Sequence, residues 1–279
     1  MHIAIRAQKP RTPATARKVS AAVVAVLISL GLAFFFTGRA SARTSVQRPT
    51  IVLVHGAFAG SSSWSDVIRT LNRKGYPVVA VANPLRSIKG DAAYVASLVR
   101  SIPGPVVLVG HSYGGSVITS AADGLANVKG LVYVAGFAAD VGESPAKLAG
   151  QFPGSTLGPA IAPAVTLPDG DKDLYISTDK YHAQFAADVG AASAAVMAAT
   201  QRPITEAALN EASASAAWKS IPSWFIYGTL DRNIPAAAHA FMAERAHSRK
   251  TVAVKGASHV VMISHPGAVA ALIEEAASY

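Results

Sequence analysis

A chain of 279 residues, 51% apolar and 15% charged, has ample material for the core of one large α/β domain or two small ones and is too apolar for a disordered one. Its formal charge of +9 is no nucleic-acid signal: six of the 25 basic residues (Arg6, Lys9, Arg11, Arg17, Lys18 and Arg39) lie in the first 42 positions, which hold no acid, and the remainder is nearly balanced, with no basic patch interleaved with aromatics. The absence of cysteine excludes disulfides, thiol nucleophiles and thiolate-bound metals.

Residues 1–18 are basic, Val19 to Phe36 form an apolar run, and Ala40-Ser41-Ala42 follows as a small-x-small cleavage pattern. This order predicts a secretory signal peptide over 1–42, cut after Ala42. The run is also about the minimum for a membrane span, so an uncleaved anchor through residues 19–36 is the alternative. Either way the basic flank stays cytoplasmic and the rest is exported, periplasmic or secreted, touching a membrane only through this segment.

Residues 43–279 read as one domain. Thr50 to Val54 is continuously apolar, as a strand buried on both faces is. His55-Gly56-Ala57-Phe58-Ala59-Gly60 is a turn, and Ser61 to Arg73 suits a helix with Trp64, Val67, Ile68 and Leu71 at helical spacing. Strands are predicted at Val78–Val81, Val106–Val109, Leu131–Ala135, Trp224–Tyr227 and Thr251–Val254. Helices are predicted at Asp91–Ile102, Ser116–Gly124, Ala236–Ala246 and Pro266–Ala277. The alternation specifies an α/β fold with a doubly wound, mostly parallel sheet.

Residues 138–220 interrupt that alternation. They are rich in Ala, Ser, Gly and Pro, with helical stretches near 183–200 and 205–217, and read as a helical cap inserted over the C-terminal edge of the sheet. Asp169-Gly170-Asp171-Lys172-Asp173 resembles the start of a calcium loop, but loop positions six and twelve are Leu174 and Lys180, so it reads as a solvated acidic loop.

The strand Val106–Val109 runs straight into Gly110-His111-Ser112-Tyr113-Gly114, a Gly-x-Ser-x-Gly turn that opens a helix. Such a turn exposes the serine hydroxyl at the sheet edge and puts the serine at positive φ. A serine hydroxyl attacks only when a base takes its proton, and a histidine backed by a carboxylate is the usual base. Asp231 follows the strand Trp224–Tyr227 and His259 follows the last strand, so both fall at the same edge as Ser112. Asp140, after the fourth strand, is the competing acid. An oxyanion hole requires two backbone N–H groups, assigned to Tyr113 and to Ala57 in the loop after the first strand. Phe58 and the Tyr113 side chain are expected to face the acyl pocket, and Trp64 to pack under the cap. His55 and His111 are expected to orient backbone; His182, His239, His247 and His265 read as cap or surface-helix residues.

With His55-Gly56-Ala57-Phe58, Gly110 to Gly115, Asp231 and Ser258-His259 in hand, residues 49–279 resemble the α/β-hydrolase superfamily. Within it they are similar to small esterases grouped with methylesterases and hydroxynitrile lyases, and to bacterial exported hydrolases. The resemblance implies a serine esterase that cleaves a small, fairly apolar carboxylic ester through an acyl-enzyme, with no cofactor or metal. The lyases carry a lysine after the catalytic histidine where this chain has Val260. Amide cleavage, perhydrolysis or lyase chemistry on the same three residues, or an inert ligand-binding protein on the same fold, are the alternatives; neither substrate nor oligomeric state is encoded in a readable motif.

Overall fold

The computed structural model describes residues 47–279, so the leader expected over 1–42 lies outside the described residues. Six parallel strands form the central sheet: β1 (Thr50–Val54), β2 (Val78–Val81), β3 (Val106–His111), β4 (Val128–Val134), β8 (Ser223–Gly228) and β9 (Lys250–Val254), in the order β2-β1-β3-β4-β8-β9. The continuously apolar runs of β1, β3, β4 and β8 are the buried inner strands, and Lys250 and Thr251 of β9 face solvent at one edge. β4 begins three residues earlier than the apolar run suggests, because exposed Lys129 and the side-chain-less, buried Gly130 hide the strand while Val128 pairs with Val106.

Helices cover the sheet in two layers. α1 (Ser65–Arg73), reached through a short 3₁₀ turn (Ser61–Trp64), packs with α11 (Pro266–Ser278), and the short α10 (Val261–Ser264) joins them. α2 (Ile88–Arg100) packs with α3 (Tyr113–Ala121), and α9 (Ala236–Arg245) lies against β8. α2 is capped twice: Ser87 Oγ accepts from Gly90 N–H at 2.9 Å, and the Glu211 carboxylate, 123 residues away in the chain, accepts from the N–H of Ile88.

Between β4 and β8 the chain carries α4 (Pro145–Gly150), α5 (Leu157–Ala160), β5 (Val165–Thr166), β6 (Lys172–Leu174), α6 (Thr178–Phe185), α7 (Ala191–Ala199), β7 (Ile204–Thr205) and α8 (Glu206–Asn210). The inserted segment is helical but also holds a three-stranded antiparallel sheet, β5-β6-β7, absent from the sequence reading. Strands of two or three residues leave no periodicity to detect. The acidic stretch needs correction as well. Asp169 is exposed and Asp171 half-buried, but Asp173 is buried and pairs with Arg86 at 2.5 Å. Arg86 also donates to Pro203 O and accepts through its carbonyl from Thr205 Oγ1, so one residue of the loop after β2 ties the insertion to the sheet domain.

Register brings the strand ends level. Val54 pairs with Gly110, His111 with Val134 and Gly228 with Val254, so the loops after β1, β3, β4, β8 and β9 leave one edge together. β1 connects to β2 on one side and β3 on the other, the crevice where open α/β sheets bind ligands. The β3–α3 turn fits against β1 only because Gly114 lacks a Cβ, which would collide with Val54 O and lie 3.0 Å from His55 O. Gly114→Ala is therefore expected to cost about 3 kcal/mol by overpacking, lowering Tm by roughly 6–12 °C; a thermal unfolding scan with unchanged Tm would contradict this packing.

Candidate active site

Ser112 sits between β3 and α3 with φ 53° and ψ −123°, a conformation disfavoured for any residue with a Cβ. Its N–H is committed to Val134 O (3.3 Å) and Ala135 O (3.1 Å), and its carbonyl accepts from Gly115 N–H and Phe137 N–H. The strained serine is thus held on both sides by backbone. Gly56 closes the gap to the β1 loop; a Cβ there would lie 2.6 Å from Ser112 Cβ and 3.2 Å from Tyr113 N.

The loop after β8 delivers Asp231 and the loop after β9 delivers His259. They meet at 2.6 Å between Asp231 Oδ2 and His259 Nδ1, both side chains fully buried. Gly228 permits the approach, since a Cβ there would collide with the carbonyls of Ala257 and Ser258. Asp231 Oδ1 accepts from Asn233 N–H (2.8 Å) and Ile234 N–H (3.0 Å). Burial alone would raise this carboxyl, but attraction to His259 and hydrogen bonds from His239 and His259 hold it well below the usual carboxylate range. Asp140 lies elsewhere, paired with Lys219 at 2.6 Å.

His259 reaches the serine turn through His111. His111 Nε2 lies 3.2 Å from His259 O and the two rings are 4.8 Å apart. His259 Nε2 has no hydrogen-bond partner among the described residues, and no hydrogen bond to Ser112 is formed. Catalytic hydrogen bonds commonly close only when substrate is bound.

Two residues that border one cavity have uncommitted backbone N–H groups. Neither Ala57 nor Tyr113 donates to a backbone acceptor among the described residues, whereas the neighbouring Phe58 N–H is bonded to Arg202 O at 2.9 Å. Phe58 is itself at φ 58°, and its carbonyl accepts from Tyr181 OH at 2.7 Å. Two residues of the insertion thereby clamp the strained turn that aims Ala57.

Ser112, Ala57, Phe58 and Tyr113 border a cavity of about 360 Å³ walled by Phe137, Ala149, Leu157, Ile161, Leu209 and Ile234. The Tyr113 hydroxyl donates to the buried Asp91 carboxylate at 2.9 Å. Burial raises Asp91 despite its hydrogen bonds from Arg86 N–H and Tyr113. Trp64 is fully buried and meets His111 edge-on at 6.4 Å. Among the described residues no three His, Asp or Glu side chains converge as metal ligands.

His239 is the residue the sequence reading misses. It is not on the surface: its Nε2 lies 3.2 Å from Asp231 Oδ2, and its ring stacks on Tyr227 at 4.9 Å. The only signal was its position at the start of a helix eight residues beyond a strand-end carboxylate, which alone does not distinguish it from a surface histidine.

Burial also lowers three histidines: His55 to about 4, His111 well below its ordinary range and His239 below its own. A base whose folded pKa is lowered takes up a proton on unfolding, so stability is full above about pH 6.5 and falls as pH drops toward the folded values. Each such histidine is expected to remove up to about 1.4 kcal/mol per pH unit in that window. Urea midpoints at pH 7.5, 6 and 5 should fall steadily; a midpoint unchanged down to pH 5 would show that these imidazoles protonate in place.

The chain matches the alpha/beta hydrolase family over residues 51–272. The alpha/beta hydrolase nvfD of Aspergillus novofumigatus is 27% identical over 253 residues, 82% of this chain and 97% of that protein. The carbendazim hydrolyzing esterase of a Nocardioides species is 33% identical over 106 residues, 33% of this chain and 44% of its own. The solved structure of polyneuridine aldehyde esterase superposes with a TM-score of 0.71 at 20% identity, covering 82% of this chain and 99% of that one. A pyrethroid hydrolase from Sphingobium faniae JZ-2 does so with 0.66 at 20% identity, covering 82% and 97%. From its first strand into its last helix, this chain belongs to the alpha/beta hydrolase family.

Proposed function

We propose that this protein is a serine ester hydrolase with Ser112 as nucleophile, His259 as general base and Asp231 as its carboxylate partner. The observation that carries the reading is the 2.6 Å Asp231–His259 pair, packed on His111 next to Ser112, a serine at positive φ that borders a mainly apolar cavity. His259 Nε2 takes the Ser112 proton as Oγ attacks the ester carbonyl, while Asp231 stabilises the imidazolium that forms. The N–H groups of Ala57 and Tyr113 hold the oxyanion. Collapse expels the alcohol, which leaves with the proton from His259, and water activated by the same imidazole then frees the acid.

The wall of Phe137, Leu157, Ile161, Leu209 and Ile234 supports a small, fairly apolar ester as substrate, since it offers no charged partner to an ionic one. Relatives named as an esterase and as hydrolases support the reaction class. The basic, apolar and small-x-small segments over 1–42 support export of this domain, by cleavage after Ala42 or behind an anchor at 19–36.

Ser112→Ala is expected to lower kcat for p-nitrophenyl acetate by at least about 10³ with the fold retained by circular dichroism. Full turnover in that variant, or failure of a fluorophosphonate to label Ser112 in the wild type, would overturn the reading. Ala149→Phe, which fills the cavity wall, is expected to raise KM for the butyrate ester several-fold more than for the acetate. Equal effects on both would remove this cavity as the acyl site.

A further inference from the structure

Asp231 receives not one imidazole but two. His259 from the β9 loop bonds Oδ2 at 2.6 Å, and His239 from the first turn of α9 reaches the same oxygen at 3.2 Å. Oδ1 is taken by two backbone N–H groups. We propose that His239 is a positioning residue for the reaction, its Nε2–H fixing the plane and the charge of the Asp231 carboxylate that orients His259. The inference rests on the assignment of Ser112, Asp231 and His259 above.

Three features distinguish this contact from incidental packing. The ring is 1% exposed and nearly parallel to Tyr227, at an interplanar angle of 17°, so it is held against the strand that leads into the Asp231 loop. His239 is also the neutral kind of donor: buried as it is, it stays uncharged at neutral pH and leaves the carboxylate its full charge to set against an imidazolium. Finally, the two bonds are unequal, with His259 holding the shorter one, as expected if His239 tempers the carboxylate and His259 works with it. The titratable groups facing this centre are His239, His259, the Tyr227 ring behind His239 and His111 behind His259.

Without the His239 donor the carboxylate can tilt about its Cβ–Cγ bond, and Oδ2 carries more negative charge toward His259. The first effect lowers turnover and the second favours the protonated imidazole, so the acid limb of the pH–rate profile moves to higher pH. His239→Phe keeps a ring on Tyr227 and removes the donor; His239→Gln keeps a donor. On p-nitrophenyl acetate, His239→Phe should lose roughly tenfold in kcat with KM within about twofold, and its acid limb should rise by about half a pH unit or more. His239→Gln should stay within about threefold of wild type with its limb in place.

An unmoved limb in His239→Phe, whatever its turnover, or equal damage in both variants overturns the proposal and leaves a merely structural histidine. If His239→Phe fails to fold, nitrogen NMR of the wild-type full chain decides. His239 should be the neutral Nε2–H tautomer at pH 7, and an Nδ1–H tautomer or a cation there overturns the proposal. A dead Ser112→Ala beside an unaltered His239→Phe would sink this inference alone, whereas an active Ser112→Ala would sink the assignment beneath it.

Discussion

A carboxylate with no access to water is the constraint on which the site depends. Burial without partners would cost Asp231 several kcal/mol or force it to take up a proton. Four donors prevent that: Asn233 and Ile234 through their backbone, His259 and His239 through their rings. Two of these come from the turn that Asp231 itself begins, so the loop after β8 folds around its own charge. The other two must be brought from elsewhere in the chain. His259 arrives because β8 and β9 are neighbours with level ends and because Gly228 lets the two loops touch. His239 arrives because α9 starts directly beyond Pro235.

Strain is stored at both loops assigned to the oxyanion in the proposed reaction. Ser112 at φ 53° and Phe58 at φ 58° each occupy a backbone region that a side chain disfavours, and each is over-determined by its neighbours. Ser112 is gripped by strand ends through Val134 O and Ala135 O. Phe58 is gripped by the insertion, through Arg202 O and Tyr181 OH. The sheet domain therefore holds Ser112 unaided, but the turn that carries Ala57 is complete only with the inserted segment in place.

What could be read from the chain follows the range of the interactions involved. The inner strands were legible because a strand buried on both faces is an uninterrupted apolar run, as at Thr50–Val54 and Val106–Val109. Asp231 and His259 could be placed at one edge because strand ends in a parallel sheet share it. His239 could not, because it lies in Ala-Ala-Ala-His-Ala-Phe-Met, an alanine-rich helix start in which nothing reveals which side meets Asp231. Asp173 was hidden for the same reason: its burial follows from Arg86, 87 residues earlier, and not from the acidic stretch around it. The β5-β6-β7 sheet was invisible because its strands are too short to alternate.

The remaining question is why a segment with so few distinctive residues should matter to chemistry at a serine it does not contain. Both proposed oxyanion donors are braced from it, by separate routes. Ala57 is held through Phe58 by Arg202 and Tyr181. Tyr113 is anchored by its hydroxyl to Asp91, Asp91 to the N–H of Arg86, and Arg86 by its guanidinium to Asp173 and Pro203 O in the insertion. Hydrogen-bond donors stabilise developing charge in proportion to how rigidly they are aimed before the charge appears. The cavity proposed for the acyl group is walled mainly by apolar side chains, and low polarity there would strengthen those donors. The insertion thus acts on the proposed reaction twice, by walling the cavity that Ser112 borders and by stiffening the two peptide groups beside it. Loosening either brace would weaken the anion's binding without touching any of the three side chains assigned to proton transfer and attack.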